Sequence, residues 1–225
     1  MSSAEPPPGF RTRGDKPTGT RLLLVRHGEA HCNAQGVVGG PIGDGGLTDV
    51  GRRQVTALCE RLVVSGELAE ATALYTSTLP RAIETAALLK RGLPAFAPVE
   101  DCGLCELHPG EADGLTWQEM VDRFGAPDWD VNPDQPLAPG AESWTGFYER
   151  CVEALARIVA RHEGELVVLV AHGGVIEQAM KMVFGRAPSE RLRLNTENAS
   201  MSEFEFKGDR RRLLRYNDRA PLAAE

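Results

Sequence analysis

The chain has 225 residues, of which 42% are hydrophobic and 25% charged, a length and balance that suit one cored domain and exclude fibrous and disordered classes. A formal net charge of −7 and a pI near 5.4 exclude the broad basic face needed for nucleic acid or an anionic membrane, while leaving room for a local basic pocket. Five cysteines, an odd number with no secretory leader ahead of the domain, do not make a disulfide framework, so a reducing cytoplasm is the default expectation.

Residues 1–20 are rich in Pro, Gly, Ser and Thr without periodicity and are expected to form a tail outside the fold. Leu22-Leu23-Leu24-Val25 is then a continuous apolar run, the mark of a strand buried on both faces, and it ends in Arg26-His27-Gly28-Glu29. His31 and the Gly-rich residues 34–46 read as loop. Thr48 reads as the N-cap of a helix from Asp49 to about residue 66. Ala73-Leu74-Tyr75 is a second short strand, and Pro80 suits the first position of a helix running through Lys90.

Residues 93–115 carry three prolines and several glycines, so a short strand near Phe96 is expected there and otherwise loop. Trp117–Phe124 reads as a short helix, 125–140 as irregular, and 141–162 as a long amphipathic helix with Phe147, Cys151, Leu155, Ile158 and Val159 on its apolar side. His162 is expected as a solvated residue at that helix's end. Leu166–Ala171 is the clearest buried strand and runs into His172-Gly173-Gly174 and another helix through Phe184. Residues 201–206 and 212–216 flank 207–210 as a terminal hairpin at the sheet edge, with Arg210-Arg211-Arg212 as solvated edge charges and 218–225 as a tail. Strands alternating with helices predict a three-layer α/β/α fold with a mostly parallel sheet and helices on both faces. No apolar run approaches the roughly 20 residues that span a bilayer.

Ligands of open α/β sheets bind beyond the carboxyl ends of the strands. Two strands here end in His-Gly, at His27-Gly28 and His172-Gly173, so two imidazoles can face one pocket. The glycines allow close approach of backbone N–H groups, and the helix opening at Gly173 offers its positive end to an anion. Arg26 and Arg81 lie at carboxyl edges, and a guanidinium fork matches phosphate oxygens bidentately. Their charge also favours neutral, nucleophilic His27.

The motifs around Arg26-His27-Gly28-Glu29 with Asn33, Leu47-Thr48 with Gly51 and Gln54, Ser77-Thr78-Leu79-Pro80-Arg81 with Thr85-Ala86, Glu106 ahead of Gly110 and Gly114, and Ala171-His172-Gly173-Gly174 stand in one order. In that order they resemble the histidine phosphatase superfamily, the phosphoglycerate-mutase-like proteins. The resemblance implies a single domain over residues 21–217 with a small cap-like insertion at about 107–144. It also implies His27 as the nucleophile, Glu106 as proton donor, and Arg26, Gly28, Asn33, Arg81, His172 and Gly173 as phosphate-binding residues, with no metal and no cofactor because arginines neutralise the developing charge. The family's aromatic-acidic stretch after the acid is replaced here by Leu107-His108-Pro109-Gly110, which leaves Glu111 and Asp113 as substitutes for Glu106.

The activity implied is metal-independent, acid-type hydrolysis of a small phosphomonoester, such as a sugar phosphate or nucleotide, through a phosphohistidine. Cofactor-dependent phosphoglycerate mutase and a non-catalytic phospho-ligand binder on the same fold are the alternatives. The residues 107–144 hold only Arg123 among basic side chains, too few for a second anionic group. No nucleic-acid or membrane partner is expected, and a homodimer is left open. Cys102-Gly103-Leu104-Cys105 has the spacing of a metal or redox half-site, but no second half-site follows and the pair is read as coincidence. Trp117, Trp129 and Trp144 are expected to pack a cap, and His108 is a candidate pocket residue.

Overall fold

The structure, a computed structural model, describes residues 18–219. The expected tails at 1–20 and 218–225 lie outside the described residues except at their inner ends, and there the fold reaches further than expected. The first strand, β1, is Thr20–Arg26, with Thr20 Oγ1 donating to the His162 carbonyl at 3.1 Å. Further elements are α1 (His31–Gln35), α2 (Asp49–Ser65), β2 (Ala71–Thr76), α3 (Pro80–Leu89), β3 (Val99–Glu100), α4 (Trp117–Phe124), α5 (Trp144–Arg161), β4 (Leu166–Ala171), α6 (Gly173–Phe184), β5 (Ser200–Lys207) and β6 (Arg210–Arg219). No helix of the described residues is long and apolar enough to cross a membrane.

The six strands form one sheet in the order β3-β2-β4-β1-β5-β6. β1 pairs β4, β2 pairs β4 and β2 pairs β3 in parallel, while β5 is antiparallel to β1 and to β6. Strand pleating sorts the apolar side chains into two cores. Leu22, Leu24, Val167 and Leu169 face α5 and α6 with Phe147, Leu155, Val175 and Ile176, and Leu23, Val25, Val168 and Val170 face α2 and α3 with Val55, Leu58, Ala82 and Ala86. β4 is buried along its whole length, as a strand covered on both faces must be, which is why it reads as an unbroken apolar run. Three layers result.

Local chemistry sets the ends. Thr48 caps α2 by accepting from the Gly51 N–H at 3.0 Å, and Gly66 closes it at φ 62°, the left-handed conformation that glycine adopts without steric cost. Four expectations need correction. His31 opens α1 rather than lying in loop, because Asn33 Oδ1 accepts from the Ala30 N–H at 3.2 Å and starts a helix too short to show periodicity. The strand expected near Phe96 lies at Val99–Glu100 instead: the Phe96 N–H folds back to the Pro94 carbonyl at 3.0 Å, and Pro98 cannot donate to a ladder. α5 starts at Trp144, not 141, where Ser143 Oγ accepts from the Gly146 N–H at 3.1 Å. His162 is not solvated, since its Nε2 meets Tyr75 Oη at 3.0 Å and its Nδ1 meets Glu165 at 2.7 Å.

The terminal hairpin is longer than expected, to Arg219, because arginines of β6 find carboxylates on β5. Arg215 meets Glu203 at 3.0 Å and Arg212 meets Glu205 at 3.4 Å. Of the expected solvated edge charges only Arg210 is simply exposed, and Arg211 donates to the Met182 carbonyl at 2.8 Å.

Candidate active site

Parallel pairing brings the carboxyl ends of β1, β4 and β2 side by side. Arg26 is in register with Ala171, so the next residues, His27 and His172, meet with ring centroids 5.1 Å apart. His27 is 2% exposed and His172 fully buried. His27 Nδ1 donates to its neighbour's carbonyl, Gly28 O, at 2.6 Å. On the other side of the ring Arg81 Nε donates to His27 Nε2 at 3.1 Å. An arginine cannot accept, so Nε2 carries the lone pair and the proton sits on Nδ1. The ring is thus held neutral, its lone pair pointing into the arginine cluster.

Electrostatics agree with that tautomer. Burial foremost, then the charges of Arg81 and Arg26, hold the His27 pKa well below the usual 6.5. His172 is lowered in the same way, by burial first and then by Arg81, His27 and Arg26. Arg81 is itself fixed: its Nη1 donates to Asp44 at 2.9 Å and to the Gly39 carbonyl at 2.8 Å. Arg26 Nη1 donates to the Thr196 carbonyl, while its Nε and His172 Nδ1 are buried with no partner among the described residues. Two such atoms beside one neutral imidazole form a ready cradle for a tetrahedral anion.

Glu106 sits at the mouth of α6. Its Oε2 accepts from the Gly174 N–H at 3.1 Å and its Oε1 from the Leu107 N–H at 3.2 Å, a helix N-terminus being favourable ground for a carboxylate. It is also the charge that most offsets the burial penalty on Arg26. Of the two substitutes, Asp113 is committed elsewhere, accepting from the N–H groups of Gly40, Ile42 and Gly43 at 2.9, 2.8 and 2.9 Å. Glu111 is exposed.

The remaining candidates separate. The Gly28 N–H donates to Thr85 Oγ1 at 3.2 Å, and a Cβ there would lie 2.6 Å from the Gly51 carbonyl oxygen. Asn33 is exposed, its Oδ1 engaged at Ala30. Gly173 opens α6 next to Arg26, a Cβ on it falling 3.7 Å from Arg26 Nε. Trp129 and Trp144 are buried and stacked at 5.4 Å, whereas Trp117 is exposed. His108 turns to Cys102 at 3.4 Å and Glu142 at 3.5 Å.

Three residues that hold the site were not singled out as site residues from the sequence. Asp44 anchors Arg81, Ser77 Oγ meets His172 Nε2 at 2.8 Å, and Arg150 ties down the Glu106 turn, donating to the carbonyls of Cys102, Gly103, Cys105 and Glu106 at 3.0 to 3.2 Å. Only Ser77, directly after a strand end, was open to discovery by position. Cys105 Sγ contacts both Ser77 and Thr78. Burial alone would raise its pKa, but hydrogen bonds from His108, Ser77 and Thr78 outweigh it and bring it to about 6.

Comparison with known proteins matches residues 22–219 to the model of the histidine phosphatase superfamily, branch 1. The chain is 34% identical over 198 residues to phosphoglycerate mutase-like protein 4 of Arabidopsis thaliana, covering 84% of this chain and 81% of that protein. It is 35% identical over 164 residues to the metal-independent phosphoserine phosphatase of the same plant, covering 70% of this chain and 66% of that one. Among solved structures, mycobacterial glucosyl-3-phosphoglycerate phosphatase complexed with VO3 superposes with a TM-score of 0.73 at 28% identity, covering 88% of this chain and 99% of that one.

Proposed function

The chain belongs to the histidine phosphatase superfamily, and from that premise we propose that it hydrolyses a small phosphomonoester through a phosphohistidine on His27 Nε2, with Glu106 as proton donor. It is a metal-independent phosphatase of small phosphorylated metabolites, in line with a relative named as a metal-independent phosphoserine phosphatase and another named as a glucosyl-3-phosphoglycerate phosphatase. The observation that carries the mechanistic reading is the His27 ring itself, with Nδ1–H on Gly28 and an Nε2 lone pair among arginines.

In this mechanism Arg26 Nε, Arg81 and His172 Nδ1–H take the non-bridging phosphate oxygens. For that, the Ser77 hydroxyl turns its one proton from Cys105 Sγ, 3.3 Å away, to His172 Nε2 at 2.8 Å, so that His172 carries its own proton on Nδ1. Arg81 Nε moves its hydrogen bond from His27 Nε2 to a phosphate oxygen, freeing the lone pair for in-line attack. The N–P bond forms as the P–O ester bond breaks, and the protonated Glu106 carboxyl gives its proton to the leaving alkoxide. The resulting carboxylate removes a proton from water, which attacks phosphorus and releases His27 and inorganic phosphate. Positive charge from two arginines supplies the stabilisation that a cation gives in other phosphoryl-transfer sites.

The test is phosphate release with EDTA present from a panel headed by phosphoserine, 3-phosphoglycerate and its glycosides, with sugar phosphates and nucleotides following. Turnover at kcat/KM of about 10⁴ M⁻¹s⁻¹ or more names the substrate class. No hydrolysis of any ester, together with tight ester binding, would replace the proposal with the non-catalytic binder.

A further inference from the structure

The segment that carries Glu106 contains a cluster which phosphoryl transfer does not use. Cys102, Cys105 and His108 each direct a ligand atom to one point, all three atoms lying within 4.8 Å of one another, and Cys102 Sγ is 3.4 Å from His108 Nε2. Tetrahedral zinc with bonds of about 2.3 Å to sulfur and 2.0 to 2.1 Å to nitrogen places its sulfur and nitrogen ligands about 3.5 Å apart. The two thiols flank one turn, Cys102–Leu104 being a single 3₁₀ turn closed by the Cys105 N–H to the Cys102 carbonyl at 3.0 Å, and the imidazole follows three residues on.

The surroundings are those of a metal-binding turn. His108 Nδ1 faces Glu142 Oε1 at 3.5 Å, leaving Nε2 for the thiols, and such a carboxylate behind an imidazole is the usual orienting partner of a metal-bound histidine. Glu142 is itself clamped by Arg150 at 2.6 and 2.8 Å and accepts from the His108 N–H at 2.9 Å. Arg150 also fixes the carbonyls of the turn, so the backbone is organised before any ion arrives. Cys102 is exposed and Cys105 buried, which gives an entry path from solvent and one position open to water.

We propose that Cys102 Sγ, Cys105 Sγ and His108 Nε2 bind one borderline-soft divalent cation of the zinc class, which staples the turn holding Glu106 without taking part in phosphoryl transfer. Binding releases the thiol protons to solvent and forms two S–metal bonds and one N–metal bond. The site is independent of the phosphatase reading, because its ligands and its test do not involve turnover.

The experiment is titration of the reduced full chain with Zn²⁺ against a chromophoric chelator, and with Co²⁺ followed by visible absorption. One equivalent is expected to bind, with the thiolate-to-cobalt and d–d bands of a tetrahedral site, and to raise Tm by roughly 5 to 10 °C at a hundredfold excess over Kd. Cys102→Ser, at an exposed position outside the catalytic machinery, should weaken binding at least tenfold and abolish the thermal shift, and His108→Gln should do the same if Cys102→Ser misfolds. His27→Ala should leave binding unchanged, which separates this site from the two imidazoles of the active site. Cobalt spectra without thiolate bands, or zinc binding equal in wild type and both ligand variants, overturns the proposal.

Discussion

At His27, the atoms on either side of the ring impose opposite demands, a carbonyl that needs a proton at Nδ1 and a guanidinium that needs a lone pair at Nε2. His27 Nε2 is the nitrogen that the proposed mechanism makes the nucleophile, so His27→Ala should reduce turnover below a few per cent of wild type with all substrates; burst kinetics that survive the substitution would place the intermediate elsewhere. Glu106→Gln keeps the contact to the Gly174 N–H but cannot give a proton. Hydrolysis of alkyl phosphates should therefore fall by roughly 10² to 10⁴, while p-nitrophenyl phosphate, whose leaving group departs unprotonated, keeps most of its rate in the phosphorylation step. Equal losses on the two esters would move the acid to another carboxyl. His27, Arg26 and His172 were legible because each lies at or just after a strand end, and Arg81 because it opens the helix that follows one, where α/β folds collect ligands. Asp44 and Arg150 were not, since an acid in a Gly-rich loop and a basic residue in a long helix look like solvated charges until the fold gives them partners.

At the level of elements, two glycines at helix starts carry different constraints. A Cβ on Gly51, in the first turn of α2, would come within 2.0 Å of the Glu29 carbonyl oxygen, and neither backbone can yield without moving the loop after His27. Gly51→Ala should cost about 1 to 3 kcal/mol and lower kcat, read as a drop in urea midpoint with an unchanged m-value. A Cβ on Gly174 in α6 would instead meet the end of a flexible side chain, Glu106 Oε1, at 2.1 Å, with the Phe147 ring next at 2.9 Å. Gly174→Ala should thus cost less stability than Gly51→Ala but reproduce the leaving-group signature of Glu106→Gln; a mutant as active on alkyl phosphates as wild type would show that the acid does not work from the mouth of α6. The helices α2 and α3 were readable from Thr48 and Pro80 because capping and first-turn chemistry is local. β3 and the start of α5 were not, because Pro98 shifts the one and the bridge between Pro136 and Ser143 sets the other.

For the whole molecule, the two buried histidines link stability to pH. Their pKa values lie well below 6.5 in the folded chain, so folded protein keeps both neutral while unfolded protein takes up protons as pH falls through about 6.5. The unfolded state then binds more protons, and stability declines on acidification, by up to about 1.4 kcal/mol per pH unit for each histidine. Tm measured from about pH 7.5 to 5.5 should fall, and less steeply in His27→Asn; a flat wild-type profile would mean that the folded protein takes up protons as readily as the unfolded chain. Sequence alone determined the alternation of strand and helix, the three-layer class and the residues that gather at strand ends, because periodicity, capping and strand termination act over a few neighbouring residues. The tertiary structure alone decided which atoms those residues present: the tautomer of His27, the anchoring of Arg81 by Asp44, and the convergence of His108 on two cysteines that a linear reading treats as coincidence. Those outcomes depend on strand register and on contacts between residues far apart in the chain, such as Arg150 with the Glu106 turn, and distance along a sequence carries no information about distance in space.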